Sequence, residues 1–419
     1  MKASELLKRL KDGVYDLKLK ELYNDVESAK KRYLSLIEKF IDKHGDNEIS
    51  IFSAPGRSEI GGNHTDHQQG KVLACAIDLD IVAVVSFNKS MIVNVISEGF
   101  NIKPVDLNDL DIRQDEYGTS EGIIRGIAKC FKDKNLAISG FNACIESQIL
   151  KGSGLSSSAA FEALIGTIFS DGLNNGIVDP IENAKIGQYA ENNYFNKPSG
   201  LMDQMACCLG GFVYIDFFKE PKVKQIDFDL SDYGYSLCIV DTRGSHENLT
   251  DEYTAIPSEM RAVSEYFGKK YLSEINIEEF INNISEIRKK TGDRAVLRSF
   301  HFLKENERVP LMAKALEEKD INLFFKYVNE SGNSSYKYLQ NVFANNKNQE
   351  IPLALSLCEY VLGKDNVSRV HGGGFAGTIQ AYVKNEKLAE FEKLMTSVFG
   401  EDSVYTLHIR NKGSFCLIK

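Results

Sequence analysis

Residues 149–166 read ILKGSGLSSSAAFEALIG, two glycines and three consecutive serines running through two alanines into an apolar helical pattern. Gly152 and Gly154 open backbone dihedrals closed to other residues and allow close approach to a ligand, and Ser156, Ser157 and Ser158 place hydroxyls where a helix begins. Unpaired amides and the helix dipole at such a start both favour an anion. Two readings fit the stretch alone: a phosphate-holding loop, or a strand-to-helix turn with an ordinary serine cap.

The chain around it has 419 residues, past the size at which a single core stops growing, so two domains are expected. Its 43% hydrophobic and 26% charged residues are those of a globular protein. A net charge of −9 argues against nucleic acid or an anionic membrane surface as partner, because both are met by basic patches. The N-terminal MKASELLKRLKDGVYD has no apolar signal core and no run of eighteen apolar residues occurs, so a cytoplasmic protein is expected. The eight cysteines lack CxxC spacing and read as reduced packing residues.

Helical spacing of Leu6, Leu7, Leu10, Leu34, Ile37, Phe40 and Ile41 predicts a helical arm over residues 3–43 with a packing role. Strands are expected at 49–52, 72–80, 81–87, 91–97 and 140–148, with a helix at 122–131 and another from the serine run to Leu173. After Gly210-Gly211 the strands FVYIDF and CIVDT follow, then helices at 256–268, 278–290, 293–304 and 310–328, and the strand TIQAYV. Strands and helices are segregated, which is the α+β class; the division is placed at 1–208 and 209–419.

Three further segments carry chemistry. SAPGRSEIGGNHTDHQQG (53–70) places Arg57 after a Pro-Gly turn and crowds Asn63, His64, Asp66 and His67 behind two glycines, a donor and acceptor set suited to a polyol. A polar surface turn, or metal binding by His64, Asp66 and His67, are the alternatives. In NKPSGLMDQMACCLGG (196–211), Asp203 stands among small and apolar neighbours; it either meets a cation, Arg57 being the candidate, or satisfies helix-start amides near Ser199. RVHGGGFAG (369–377) is a second glycine loop whose simplest role is a tight turn before a strand.

In order and spacing these four segments resemble the galactokinases of the GHMP small-molecule kinases: SAPGRSEIGGNHTDH is similar to the galactokinase signature, GSGLSSSAA to the ATP loop, SGLMDQ to the catalytic-aspartate segment and HGGGFAG to the C-terminal glycine motif. DTRGSHENLTDEY (241–253) is similar to a family segment in which a histidine precedes a Glu-Tyr pair. The resemblance implies two α+β domains with the active site in the cleft between them, and phosphorylation of a sugar by ATP at its anomeric hydroxyl. It implies Asp203 as general base or electrostatic guide, Arg57 as its partner and a stabiliser of the transferring phosphoryl group, and Asn63, His64, Asp66 and Tyr253 as sugar contacts. Gly152, Ser153, Gly154, Leu155, Ser156, Ser157, Ser158 and Ala159 would hold the nucleotide. Magnesium would bridge the phosphates, with Ser158 and Glu162, four apart on one helix face, as ligands; a solvated helix glutamate is the alternative for Glu162. A small-molecule sugar is the implied partner and a monomer the implied state, with a dimer as alternative. The Walker pattern GxxxxGK[ST] is absent, and a dinucleotide fingerprint fails at Ser157.

Departures from the family pattern bear on the sugar. Asn63 stands where these kinases carry glutamate, His67 where tyrosine is usual, Gly61-Gly62 replaces an Ile-Gly pair, and TAIPSEM follows Tyr253 where arginines are usual. An amide in place of a carboxylate would no longer repel a charge at C6 of the sugar, so galacturonate stands as the alternative to galactose. A catalytically silent sugar sensor is the remaining alternative, opposed by the intact Asp203, Arg57 and serine run.

Overall fold

The signature segment is not a loop over its first nine residues, which are the last nine of a twelve-residue strand. The computed structural model describes residues 1–149, 154–245 and 249–419. Its first sheet is built on β1 (Ser50–Gly61) and β2 (Lys71–Phe87), which pair antiparallel on both sides of a shift in register. β2 was expected as two strands; Asp80, Ile81 and Val82 keep the backbone extended across the join, and β1 pairs through it. The sheet order is β12-β1-β2-β5-β3-β4, with β3 (Ile92–Ser97), β4 (Val105–Asp106), β5 (Phe141–Ser147) and β12 (Phe415–Ile418). β6 (Phe212–Asp216) continues from β2, and β7 (Lys222–Ile226) from β6. A second, four-stranded sheet has the order β11-β8-β10-β9, from β8 (Tyr235–Asp241), β9 (Ser368–Val370), β10 (Thr378–Lys384) and β11 (Val404–Leu407).

Between Pro55 and Arg57 the register of β1 on β2 jumps from Asp80 to Ala76. The displaced residues of β2 pair instead with a C-terminal segment: Ile77 bridges Ile409, and the Asp78 amide donates to His408 O at 3.0 Å. Such a bulge re-aims the side chains that follow it, here beginning with Arg57.

The helical arm comprises three pieces, α1 (Ala3–Lys11), α2 (Asp16–Lys20) and α3 (Val26–His44). Gly13 at φ +78° ends the first, and Asp25 caps the third by accepting from the Ser28 amide at 3.0 Å. As expected of a packing arm, Leu6, Tyr33, Ile37 and Phe40 are buried against Ile51, Val82 and Val84 of the sheet. On its other face lie α4 (Ser120–Asp133), α5 (Ser157–Leu173), α6 (Pro180–Asn193) and α7 (Met202–Leu209).

α8 (Thr250–Tyr266), α9 (Ile277–Thr291), α10 (Asp293–Glu317) and α11 (Ile321–Ser334) form the remaining helical layer, and α12 (Glu350–Leu362) and α13 (Leu388–Phe399) cover the second sheet. The expected break before Pro310 does not occur. Val309, Met312 and Ala313 are buried on either side of it, so core packing carries α10 through the proline. Along β8, Leu237 and Ile239 join the main core while Cys238 and Val240 face α12 and α13, the alternation of a strand buried on both faces. All eight cysteines are free. Among the described residues no helix is long and apolar enough to cross a membrane.

Candidate active site

Arg57, on the bulged half of β1, and Asp203, in the first turn of α7, are 146 positions apart and meet in a two-pronged ion pair, Nε to Oδ1 at 2.8 Å and Nη2 to Oδ2 at 2.7 Å. The third nitrogen, Nη1, donates to the carbonyl of Gly154, and Ser156 Oγ donates to Asp203 Oδ2. Burial by itself would raise the Asp203 pKa, but the Arg57 charge and the bonds from Arg57 and Ser156 outweigh it and hold the carboxyl below its usual range. Two of the four sequence segments thus close on the third through one carboxylate.

Ser156 occupies the cap position of α5, in the left-handed region at φ 57°, yet its side chain makes no capping bond. Its hydroxyl is committed to Asp203, so the ordinary serine cap is not formed and the start of α5 is left to another acceptor. Ser157 and Ser158 line a cavity of about 790 Å³ together with Ser97, Lys103, Glu121 and Glu146. Leu155 and Ala159 are buried, and Leu155 contributes its carbonyl, which accepts from the Arg57 amide at 3.2 Å. Gly152, Ser153 and the histidine of DTRGSHENLTDEY lie outside the described residues.

The polyol segment is organised by the second glycine loop. His64, at φ 55°, donates from Nε2 to Gly373 O at 3.0 Å, and Tyr253 donates to Gly374 O at 2.8 Å with its ring edge-on to Phe375. Asp66 sits against the segment leading to Asp203: a Cβ on Gly200 would fall 2.3 Å from Asp66 Oδ2. His64 and Tyr253 are thus tied to the second glycine loop, and Asp66 to the segment that leads into α7.

Asn63 departs from its expected place facing a sugar. It is 1% exposed, donates to Glu59 Oε1 at 2.9 Å and Gly372 O at 2.7 Å, and accepts from Asn341 Nδ2 at 2.8 Å. Its backbone carbonyl takes a fourth bond from His301 Nε2 at 2.9 Å. The amide is spent inside the protein, and the argument that it would admit a C6 carboxylate loses its footing. Glu59 in turn accepts from Arg369 Nη2 at 3.1 Å. The Gly61-Gly62 departure has a steric cause: a Cβ on Gly61 would lie 2.6 Å from Met312 Sδ, and one on Gly62 2.4 Å from Lys71 O.

His371, not singled out from the sequence although it opens the glycine loop, lies behind Arg57. Ser58 Oγ accepts from Gln380 Nε2 at 2.8 Å and is hydrogen-bonded to His371 Nε2 at 3.1 Å, while His371 Nδ1 is hydrogen-bonded to Thr378 Oγ1 at 2.9 Å. Burial, then the charges of Arg57 and Arg369, push its pKa down to about 3, so the ring is neutral.

Glu162 is wholly buried, contrary to a solvated helix residue. Gln204 Nε2 donates to Glu162 Oε2 and Glu191 Oε2, both at 2.9 Å, and Glu162 Oε1 has no hydrogen-bond partner. Burial and then the Glu191 charge raise the Glu162 pKa well above the usual value. A magnesium ion carried in by nucleotide phosphates retains several waters and needs one or two protein oxygens. The exposed Ser158 hydroxyl fits that need; the enclosed Glu162 does not fit as a direct ligand beside it. Among the described residues no group of three or more His, Cys, Asp or Glu converges for a resident ion.

A helix start without its cap, an arginine-held aspartate and a polyol-type loop, set where the two sheets meet, define a small-molecule kinase of the GHMP class. Residues 38–87 match the galactokinase galactose-binding signature, and residues 122–211 the GHMP kinases N terminal domain. The galactokinase of Glaesserella parasuis serovar 5 (strain SH0165) is 30% identical over 352 residues, 82% of this chain and 87% of that one. That of Actinobacillus pleuropneumoniae serotype 3 (strain JL03) is 28% identical over 376 residues, 85% and 91% of the two chains. The crystal structure of Lactococcus lactis galactokinase complexed with galactose aligns with a TM-score of 0.77 at 25% identity, covering 90% of this chain and 97% of that one. The chain belongs to the galactokinase family.

Proposed function

We propose that this enzyme transfers the γ-phosphoryl group of ATP to the anomeric hydroxyl of galactose. The observation that carries the reading is the Arg57–Asp203 pair fastened to the phosphate-type loop by Ser156 and Gly154. It brings a sugar-side carboxylate and a nucleotide-side helix start to one point. His64, Asp66 and Tyr253 hold sugar hydroxyls there. The cavity beside Ser157 and Ser158 takes the nucleotide with its phosphates at the start of α5, where the Ser158 hydroxyl would hold a magnesium ion that would neutralise phosphate charge.

Phosphoryl transfer passes through a loose transition state in which positioning and charge neutralisation dominate. An aspartate whose pKa is depressed is a weak base at neutral pH. Asp203 therefore acts chiefly by orienting the hydroxyl and accepting its hydrogen bond, with Arg57 neutralising charge on the transferring group. The division of labour follows the sheets: β6, β7 and β12 serve the first sheet although the sequence division at 208/209 assigned them to the second unit.

A panel of hexoses and uronic acids, assayed with ATP and magnesium, tests the reading. Galactose is expected to give the highest kcat/KM, with galacturonate far below it because the Asn63 amide is engaged inside the protein. A clear preference for galacturonate, or no ATP consumption with any sugar, would overturn it.

A further inference from the structure

Two side chains of α3 touch acids of the cavity wall: Lys39 Nζ lies 3.6 Å from Glu98 Oε2 at the surface, and Arg32 meets Glu146. Arg32, on α3 and only 6% exposed, places its guanidinium on the end of β5 and the middle of β2: Nη2 is 2.7 Å from Asp80 Oδ1, Nη1 donates to Gln148 Oε1 at 2.7 Å, and Nε is 3.1 Å from Glu146 Oε1. Gln148 is also tied to β2 through its amide, which donates to Asp80 O at 2.9 Å. Ile145, Glu146, Ser147 and Ile149, the residues around these contacts, line the same cavity as Ser157 and Ser158.

The two acids that Arg32 serves are not equivalent. Asp80 is fully buried and has a second cation, Arg410 Nη1 at 2.9 Å, besides hydroxyls from Ser53 and Tyr23. Glu146 stands half-open at the cavity wall, and the ion pair found for it among the described residues is the one with Arg32. Without that guanidinium a bare carboxylate would face a polyanionic ligand, and the strand that delivers the phosphate loop would lose its lateral tie.

We propose that Arg32 is a positioning residue of the nucleotide site, neutralising Glu146 and fixing the end of β5, so that the N-terminal arm is part of the catalytic apparatus. This rests on the reading of the cavity as the nucleotide site.

The test measures KM for ATP and for galactose separately in R32Q, R32K and their E146Q double variants, with ADP affinity by calorimetry. R32K keeps a cation on buried Asp80 and so guards the fold, but its single nitrogen cannot span all three partners. KM for ATP should rise about tenfold in R32Q and less in R32K, the size of effect expected of one uncompensated charge in a partly buried site. KM for galactose should stay unchanged, and E146Q should recover most of the loss in either background, which it would not do for a merely structural defect. Should R32Q fail to fold, R32K and R32K/E146Q decide the matter alone. An unchanged KM for ATP, a parallel rise in both KM values, or no recovery with E146Q overturns the proposal. The cavity reading has its own control: S97W, which fills the cavity, should abolish ADP binding, and undiminished binding in S97W would remove that reading whatever Arg32 does.

Discussion

At Asp203 two demands meet, since the carboxylate must stay charged in a partly enclosed place and must face an incoming hydroxyl. Arg57 and Ser156 satisfy the first and fix its orientation for the second. Asp203→Asn should therefore lower kcat by a factor on the order of 10² to 10⁴ while the circular dichroism spectrum and melting transition stay near wild type; a variant with full turnover would remove Asp203 from its role. Asn63 predicts a stability effect instead. Asn63→Ala removes three buried hydrogen bonds, those to Glu59 Oε1 and Gly372 O and the one from Asn341 Nδ2, at a cost of about 1–3 kcal/mol. Asn63→Glu should be worse, because a second buried carboxylate would sit beside Glu59; chemical denaturation of both variants checks the order. The pairing of Arg57 with Asp203 was legible in the sequence, since a lone acid among small apolar residues calls for a cation. The inward turn of Asn63 was not, because its partners His301 and Asn341 arrive from 238 and 278 positions away.

Among the elements, the glycine loop after β9 shows how a turn of no evident chemistry serves the site. Gly372 and Gly373 carbonyls anchor Asn63 and His64, and the Gly374 carbonyl anchors Tyr253. Gly374 adopts φ +76°, and a Cβ there would lie 2.1 Å from Asn341 O. Gly374→Ala should cost at least about 1–3 kcal/mol from the dihedral alone. It should also raise KM for galactose more than KM for ATP, because the loop's partners belong to the sugar side; equal changes in both would contradict that assignment. The sequence placed this segment as a turn before a strand, correctly, and left the start of α5 open between a phosphate loop and an ordinary serine cap, of which the cap is not formed. It could not show Arg57 extended on β1 rather than following a turn, since a Pro-Gly pair signals a turn locally and the strand exists only because β2 pairs with it.

For the whole molecule, the buried neutral histidines set the response to acid. His301 is pushed down to about 4 by burial, and His371 to about 3. An unfolded imidazole titrates near 6.5, so between these values the unfolded chain binds more protons and stability is lost as pH falls from about 6.5 towards 4. The loss at pH 4 is about 3 kcal/mol for His301. Urea midpoints measured from pH 7 to 4.5 should fall, and His301→Asn should flatten the slope relative to wild type; an identical slope would show that His301 is not held neutral. The closure of the chain on itself gives a second test. β12 pairs with β1, the strand that carries Arg57, and Arg410 reaches Asp80 beneath the helical arm. Removing residues 414–419 should lower the melting temperature by several degrees or prevent folding, although those residues touch no assigned site residue. The sequence by itself pointed to the α+β class, to a glycine–serine loop opening a helix and to Arg57 as the cation for Asp203, because glycine dihedrals, helix starts and the cost of a lone buried charge are local constraints. Only the tertiary structure decided which face Asn63 presents, that β12 completes the first sheet, and that Arg32 of the arm meets Glu146 of the cavity wall, because each depends on strand register and on contacts between residues far apart in the chain.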